Sequence, residues 1–205
     1  MDTWMLGTPC AAVQTLARAL GAEFSPIPPL ADEAAFESWR ASAPAASKHA
    51  RVVVAAWSPE PVPGCLVELG DEAWRKRGED PLLVWNAALG HAIQRCRDGG
   101  ALVAVVEAPA SLDSGGWVPE AGVADAVLAL ARSLAFSEGP RGVRVNGVTT
   151  PARLGTGAVI DPQPPLAGFP GRLDVEVVGA LRMLLSEDAA GITGSALAAD
   201  CGRSW

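Results

Sequence analysis

Three strand-like segments place the strongest limit on how this chain can fold. Two are continuous apolar runs, at residues 52–57 and 101–106, and the third is a valine-rich stretch at 143–148. A run that is apolar at every position is typical of a strand covered on both faces. Apolar residues at helical spacing fill the intervals between the segments, and strands that alternate with helices imply a parallel sheet. We therefore predict an α/β fold with a doubly wound parallel sheet.

The pattern also predicts the remaining elements. A short apolar run at 3–6 precedes the first helix, and residues 25–29 form a connection because they contain three prolines. Residues 152–170 form a long segment rich in Pro and Gly. A last short strand is expected at 195–199. Helices are expected at 11–20, 32–43, 71–77, 80–96, 119–137 and 175–185.

Composition excludes several classes of function. The 205 residues suit one domain, 1–205, and the net charge of −7 without a Lys/Arg stripe argues against a nucleic-acid partner. No apolar run approaches about 18 residues, so no membrane partner is expected. The four cysteines are scattered and the chain has two histidines, which argues against a metal site. The first residues lack the pattern of an export signal, so we expect a cytoplasmic protein.

Three segments together resemble the short-chain dehydrogenase/reductase superfamily. The first is LARSLA at 130–135, followed by GVRVNGV at 142–148. The second is ITGSALAADCG at 192–202, and the third is GGALV at 99–103. Their order and spacing fit the family over roughly residues 50–205. The resemblance implies a Rossmann-like fold in which residues 59–205 form the better preserved half.

The same resemblance identifies losses in the nucleotide-binding half, residues 1–58. The family's first turn reads TGxxxGxG, whereas this chain keeps only Gly7 and has side chains at Ala11 and Val13, where a pyrophosphate needs bare backbone. The interval between Gly7 and Val52 is short for the extra strand–helix pair of the family, so we expect that unit to be truncated. Trp57 would crowd a nicotinamide nucleotide. No cofactor-binding residues are expected in this chain.

The catalytic residues of the family are also missing. Alignment on the RSLA segment puts Glu120 at the position of the catalytic Tyr, Ala124 at the Lys and Glu107 at the Ser. The chain contains no Tyr at all, so no shift of the alignment restores the motif. Only Asn86 matches the asparagine that the family carries on a helix. Hydride transfer without a cofactor site or a general acid has no source of rate.

The first hypothesis is a non-catalytic, pseudoenzyme subunit. The resemblance implies pairing through the helices at 80–96 and 119–137, with an intact NAD(P)-binding homologue or with a second copy of this chain. Some family members are such hetero-oligomers, several of them in hydroxyacyl-CoA oxidation. The alternative is that the apolar residues of these helices face only the chain's own sheet. The candidate interface residues are Trp85, Val123, Val127, Leu130, Leu134 and Trp205.

The second hypothesis is a cofactor-independent lyase, hydratase or isomerase. Glu107 and Glu120 would flank the crevice at the carboxyl ends of the strands and act as an acid and a base, with Asn86 as a further site residue. Two solvated carboxylates without a catalytic role are the plainer interpretation. A third hypothesis, an unusual dinucleotide site, would show itself by enhanced NADH fluorescence.

Overall fold

A single parallel sheet of six strands forms the centre of the molecule. In the computed structural model, which describes residues 3–58, 62–154 and 170–204, the strands lie in the order β2-β1-β3-β4-β5-β6. All neighbouring pairs are parallel. The predicted α/β, Rossmann-like doubly wound sheet is therefore confirmed. The strands are β1 (Thr3–Gly7), β2 (Glu23–Pro26), β3 (His49–Ala55), β4 (Cys96–Glu107), β5 (Arg144–Thr150) and β6 (Ala196–Ala198).

Helices cover both faces of this sheet. One face carries α1 and α6, which contact each other, and the other carries α4 and α5 with α2 beside α4. The short α3 continues through a π-helical turn, Arg75–Glu79, directly into α4. A similar turn, Leu173–Val177, precedes α6 and replaces the first turn of the helix expected at 175. The helices are α1 (Ala11–Leu20), α2 (Glu33–Ser42), α3 (Asp71–Trp74), α4 (Asp80–Arg95), α5 (Val118–Ser137) and α6 (Val178–Leu185).

Strand β2 corrects one prediction. Residues 25–29 were expected to be a connection throughout, but Ser25 and Pro26 belong to an edge strand that pairs with β1 up to Gly7↔Pro26. Pro26 is tolerated because it is the last residue of an edge strand, where a missing N–H breaks no internal ladder. The Trp4 indole N–H also donates to Ser25 Oγ over 2.8 Å and ties the strand to β1.

The half that the resemblance assigns to nucleotide binding, residues 1–58, is shortened. It nevertheless contains one short strand, β2, and the helix α2 after it. One strand, β2, lies beyond β1, where the standard Rossmann order has two. This strand has four residues, and it is followed by α2. The N-cap of α2 is Asp32, whose carboxylate accepts from the Ala35 N–H.

The core lies between the sheet and the two helical layers. Residues 52–55 and 102–105 of the central strands have no exposed surface, as expected for strands covered on both faces. The carboxyl ends of β1, β3 and β4 consequently open on the same edge, beside α4 and the start of α5. Among the residues that the structure describes, no helix combines the length and apolar character needed to cross a bilayer.

Candidate functional site

Glu107 and Glu120 lie against the same small cavity at the carboxyl edge of the sheet. Glu107 is the last residue of β4, and Glu120 lies in the first turn of α5. Strand ends and a helix start meet here because β4 leads through the loop 108–117 into α5. The predicted juxtaposition of the two carboxylates is therefore present. The cavity is also lined by Ala56, Trp57, Ser58, Arg77, Pro81, Trp85 and Val123.

A bidentate ion pair holds Glu120. Arg77 donates from Nε to Oε1 over 2.8 Å and from Nη2 to Oε2 over 2.7 Å. Its Nη2 also donates to the carbonyl of Gly116 over 3.0 Å, which ties the guanidinium to the loop before α5. Arg77 can reach this point because the π-helical turn that carries it packs against the start of α5. The Glu120 side chain is only 9% exposed, so its charge depends on this partner.

A second bidentate pair holds Glu107. Arg153 donates from Nε to Oε1 over 2.6 Å and from Nη2 to Oε2 over 2.5 Å, and it also donates to the Ser58 carbonyl. Its guanidinium lies 5.4 Å from the centre of the Trp57 ring. Burial raises the pKa of Glu107 above its ordinary value; Arg153 opposes this rise, and the charge of Glu120 adds to it. The two carboxylates are thus electrostatically coupled across the cavity.

The ion pairs leave almost no room between them. The cavity measures about 20 Å³, which is enough for about one water molecule. Each carboxylate has both oxygens engaged by a guanidinium, so neither is aimed at open space as a general base would be. The arrangement is a charge-balanced cluster of two carboxylates and two guanidiniums.

Arg77 and Arg153 were missed by the sequence analysis. They lie far along the chain from the carboxylates they contact, on a helical turn and just beyond β5, and no motif marks them. The available signal was physical: two carboxylates predicted at one buried edge require cations close by. That reasoning predicts cationic side chains at the cavity without identifying them among the 16 Lys and Arg residues of the chain.

Asn86 does not belong to this cluster. It lies on the exposed side of α4 and lines a separate depression with Glu37, Arg40, Ala41, Ala87, Gly90, His91 and Gln94, between α4 and α2. The structure therefore brings together two of the three residues proposed for the cofactor-independent reaction. Ala124, at the Lys position of the alignment, is buried in the core.

The first strand–helix turn keeps one of the three glycines of a dinucleotide-binding turn. Val13, at the third glycine position, is fully buried, and its Cγ1 would lie 2.5 Å from a Cβ on Gly7, so Val13 packs between α1 and β1. The Thr8 N–H donates to the Ala55 carbonyl over 3.0 Å and the Gly7 carbonyl accepts from Ile27. Ala11, at the second glycine position of the resemblance, is exposed, so its methyl group lies where the backbone of such a turn approaches a pyrophosphate. With Ala11 and Val13 in place of two glycines, the turn does not match the residues that hold a dinucleotide.

Trp57 turns inward at the end of β3. Its ring is buried, and its indole N–H donates to the Val105 carbonyl over 2.7 Å. The side chain forms one wall of the Glu107–Glu120 cavity. Among residues 3–58, 62–154 and 170–204, no group of three His, Cys, Asp or Glu could hold a metal ion.

Most of the predicted interface residues of α4 and α5 face the chain's own sheet. Trp85, Val123 and Val127 are buried in the core, while Leu130 and Leu134 are half-buried against it. Their apolar character is thus largely explained by the fold, so the outward surface of the two helices is formed by other residues. Trp205 lies outside the described residues, as does most of the predicted segment 152–170.

The outward surface of these two helices consists mainly of small residues, with a large exposed apolar residue on each helix. On α5 it follows residues 122, 126, 129, 133 and 136, from Gly122 through two alanines and a serine to Phe136, which is 89% exposed. On α4 it follows residues 83, 87, 90 and 94, from exposed Leu83 past Gly90 to Gln94. A Cβ on Gly90 or Gly122 would meet nothing within 4 Å.

The architecture is that of solved short-chain dehydrogenases/reductases. An enzyme of this class from Serratia marcescens matches with a TM-score of 0.70 and 19% identity, over 100% of this chain and 98% of that one. One from Mycobacterium ulcerans matches at 0.73 and 17%, over 98% and 89%. An enoyl-(acyl-carrier-protein) reductase from Anaplasma phagocytophilum, solved in complex with NAD, matches at 0.71 and 18%, over 98% and 93%.

These likenesses define the class by its fold. No family model and no curated protein matches the sequence. At identities of 17–19% the structural matches establish the Rossmann-like fold of the short-chain dehydrogenases/reductases, and activity has to be argued from the site.

Proposed function

We propose that this chain is a non-catalytic subunit that assembles with an intact NAD(P)-dependent short-chain dehydrogenase and supports it. The observation that carries the proposal is the small cavity of about 20 Å³, at which Glu107 and Glu120 are each held by an arginine. By the resemblance, these glutamates stand at the positions of the catalytic Ser and Tyr. A cavity of this size has no room for a substrate, while the six-stranded parallel sheet is retained.

The outward surfaces of α4 and α5 support assembly. Gly90 and Gly122 lie inside helices, where Gly costs roughly 0.5–1 kcal/mol relative to Ala. Nothing in the described part of the chain lies within 4 Å of a Cβ at either position, so the described fold does not require Gly there. Small residues in this position allow the backbone of another helix to approach closely, and Leu83 and Phe136 add exposed apolar surface at the two ends. Oxidation of a hydroxyacyl-CoA by the partner is the reaction that the resemblance suggests.

The test is the native mass of what co-purifies with the tagged chain from its own host. We expect a stoichiometric complex with an intact short-chain dehydrogenase, whose activity falls when this chain is withdrawn. Gly122→Arg should dissociate the complex, because the new side chain projects into the space that a partner helix would occupy. Gly179→Arg is the matched control, since Gly179 is also an open helix position but lies on α6, on the other face of the sheet.

A partner that is stable and fully active without this chain would contradict the proposal. A homo-oligomer alone would reject the intact partner and leave self-assembly as the role of these helices. Equal loss of the complex in both arginine variants would show that α5 is not the contact surface.

The cofactor-independent lyase, hydratase or isomerase is the second candidate. It is favoured by the shared cavity and by the raised pKa of Glu107, since an acid and a base need different proton affinities. The test is a ¹³C-carboxyl NMR titration of the two glutamates, assigned with Glu107→Gln and Glu120→Gln. A Glu107 pKa close to neutrality would support this candidate, and an ordinary or low pKa would remove it.

A further inference from the structure

A second and larger cavity lies beside the cluster of two glutamates and two arginines, at the carboxyl ends of β1, β2 and β3. We call it the β1–β3 cleft; its volume is about 420 Å³. Its walls include Ile27, Pro28, Leu30, Trp57, Pro81 and Val84. The cleft shares Trp57 and Pro81 with the small cavity, but it is not filled by ion pairs. A volume of this size falls in the range of small-molecule sites in proteins, roughly 300–1,000 Å³.

The chemistry of the walls is apolar and close to charge-neutral. Among the described residues that line the cleft, Lys76 and Asp80 carry charge, and they have opposite signs. The Lys76 ammonium is already paired with Glu72 over 2.6 Å. A phosphate or pyrophosphate needs several donors converging on it, whereas Lys76 is the one cation among the described residues of the lining and the Thr8 N–H is already bonded to the Ala55 carbonyl.

The walls are also held in place. Four prolines, at positions 9, 28, 29 and 81, line the cleft, and each fixes its own backbone φ angle. Ile27 and Trp57 are almost fully buried on their other sides, and the Ile27 N–H donates to the Gly7 carbonyl over 2.9 Å. Preformed walls lower the cost of ordering a site on binding. Water in an apolar space of this kind finds few hydrogen-bond partners and is displaced favourably by an apolar group.

We infer that the β1–β3 cleft is a binding site for a small, uncharged, apolar molecule. It occupies the place at the strand ends where Rossmann-like sheets bind ligands, with walls that offer few donors to the phosphates of a dinucleotide. This inference goes beyond the proposed subunit role, because it needs no partner chain. The cleft and the outward surfaces of α4 and α5 share no lining residue.

The test uses N-phenyl-1-naphthylamine, an uncharged probe whose fluorescence rises in apolar surroundings. We expect saturable binding of one probe per chain, displaced by 1-naphthol at neutral pH and not by NADH at the same concentration. Val84→Arg should weaken probe binding by about tenfold or more, because it places a long charged side chain on the cleft wall. Asn86→Arg is the matched control: it introduces the same charged side chain two residues along α4, at an exposed position outside the cleft.

A second variant guards against misfolding. Ala31 is exposed at the edge of the cleft, so Ala31→Trp should fold normally and fill the space with its own indole, again reducing probe binding. Displacement of the probe by NADH would overturn the inference in favour of a nucleotide site. Probe binding unchanged in both Val84→Arg and Ala31→Trp would overturn it by placing the probe elsewhere. The native mass of the complex distinguishes either outcome from failure of the subunit proposal.

Discussion

At the Glu120 carboxylate, folding stability depends on one guanidinium. Arg77→Ala should lower the free energy of unfolding by about 3 kcal/mol, because it leaves a buried carboxylate without its cation. Lys76→Ala is the matched control, since the neighbouring Lys76–Glu72 pair is exposed on both sides and should contribute little. Urea unfolding of the two variants and the wild type measures the difference.

Apolar replacement of the whole pair separates charge from packing. Arg77→Met combined with Glu120→Leu should recover much of the stability lost in Arg77→Ala, because no uncompensated charge then remains. A double variant as unstable as Arg77→Ala would mean that the guanidinium acts through packing and its bond to the Gly116 carbonyl.

The Glu107 carboxyl should give the chain a distinctive pH dependence. Its pKa is raised from 4.5, so between 4.5 and the folded-state pKa the native chain holds a proton that the unfolded chain has lost. Glu107 therefore contributes its full stabilisation below pH 4.5, and this contribution is lost as pH rises through the folded-state pKa. The difference in unfolding free energy between wild type and Glu107→Gln should accordingly fall as pH rises from about 4 through the folded-state pKa of Glu107.

Glu72 supplies a control of opposite sign. Its pKa is lowered, first by the hydrogen bond from Lys76, so its contribution is present above 4.5 and is lost as pH falls. The difference between wild type and Glu72→Gln should consequently rise with pH. A rising difference for Glu107→Gln as well would show that the attraction of Arg153 outweighs burial at that site.

Residue-level prediction from the sequence succeeded for the carboxylates and failed for their partners. Glu107 and Glu120 follow a buried strand and begin the next helix, and parallel topology brings such positions to one edge. Arg77 reaches the cavity through a π-helical turn, and Arg153 through the segment after β5. Neither geometry is encoded in a local hydrophobic period, so no spacing rule identifies them.

At the scale of elements, the contact between β1 and α1 explains why Gly7 is present. No unusual backbone angle is required there; the reason is space, because a Cβ would lie 2.5 Å from Val13 Cγ1 and 3.1 Å from the Ala55 carbonyl oxygen. Gly7→Ala should destabilise the chain by roughly 1–3 kcal/mol through overpacking.

A double-mutant cycle tests that this contact is the cause. Val13→Ala alone should also destabilise, by about 2 kcal/mol, since it empties a fully buried position. The Gly7→Ala/Val13→Ala variant should lose at least about 1 kcal/mol less stability than the two single variants lose together. The reason is that the shortened side chain at position 13 makes room for the new methyl group. Additive costs would place the strain of Gly7→Ala at the Ala55 carbonyl instead.

Strand β2 is the element that the sequence concealed. Its four residues end in a proline, and proline normally signals the end of regular structure. The strand forms because β1 offers an open edge and because Trp4 and Ser25 join across it. Tertiary pairing thus decided a segment whose local composition favours a connection. The longer strands β3, β4 and β5 needed no such help, since each has a buried apolar pattern of its own.

At the scale of the whole molecule, the doubly wound parallel sheet could be anticipated, whereas the surface that each helix turns outward could not. Buried runs separated by helices leave few alternatives to a doubly wound parallel sheet. Apolar residues on α5 suggested an interface, yet Val123 and Val127 lie in the core. A hydrophobic period reports burial without saying against what, so the outward direction of positions 122, 126 and 129 is established by the sheet.

Gly122 carries the last prediction, which sets the stability of the chain against assembly. In the isolated chain, Gly122→Ala should raise the free energy of unfolding by about 0.5–1 kcal/mol, because the helix gains and no atom lies within 4 Å of the new Cβ. Gly179→Ala should stabilise the chain by a similar amount. If a partner helix packs closely on α5, the two variants must then diverge: Gly122→Ala should weaken the complex, whereas Gly179→Ala should leave its affinity unchanged. Thermal unfolding of the single chain and titration against the co-purified partner measure the two effects separately. Equal affinities would mean that the helix glycines serve neither the fold nor the assembly, and would remove the strongest support for α5 as the docking surface.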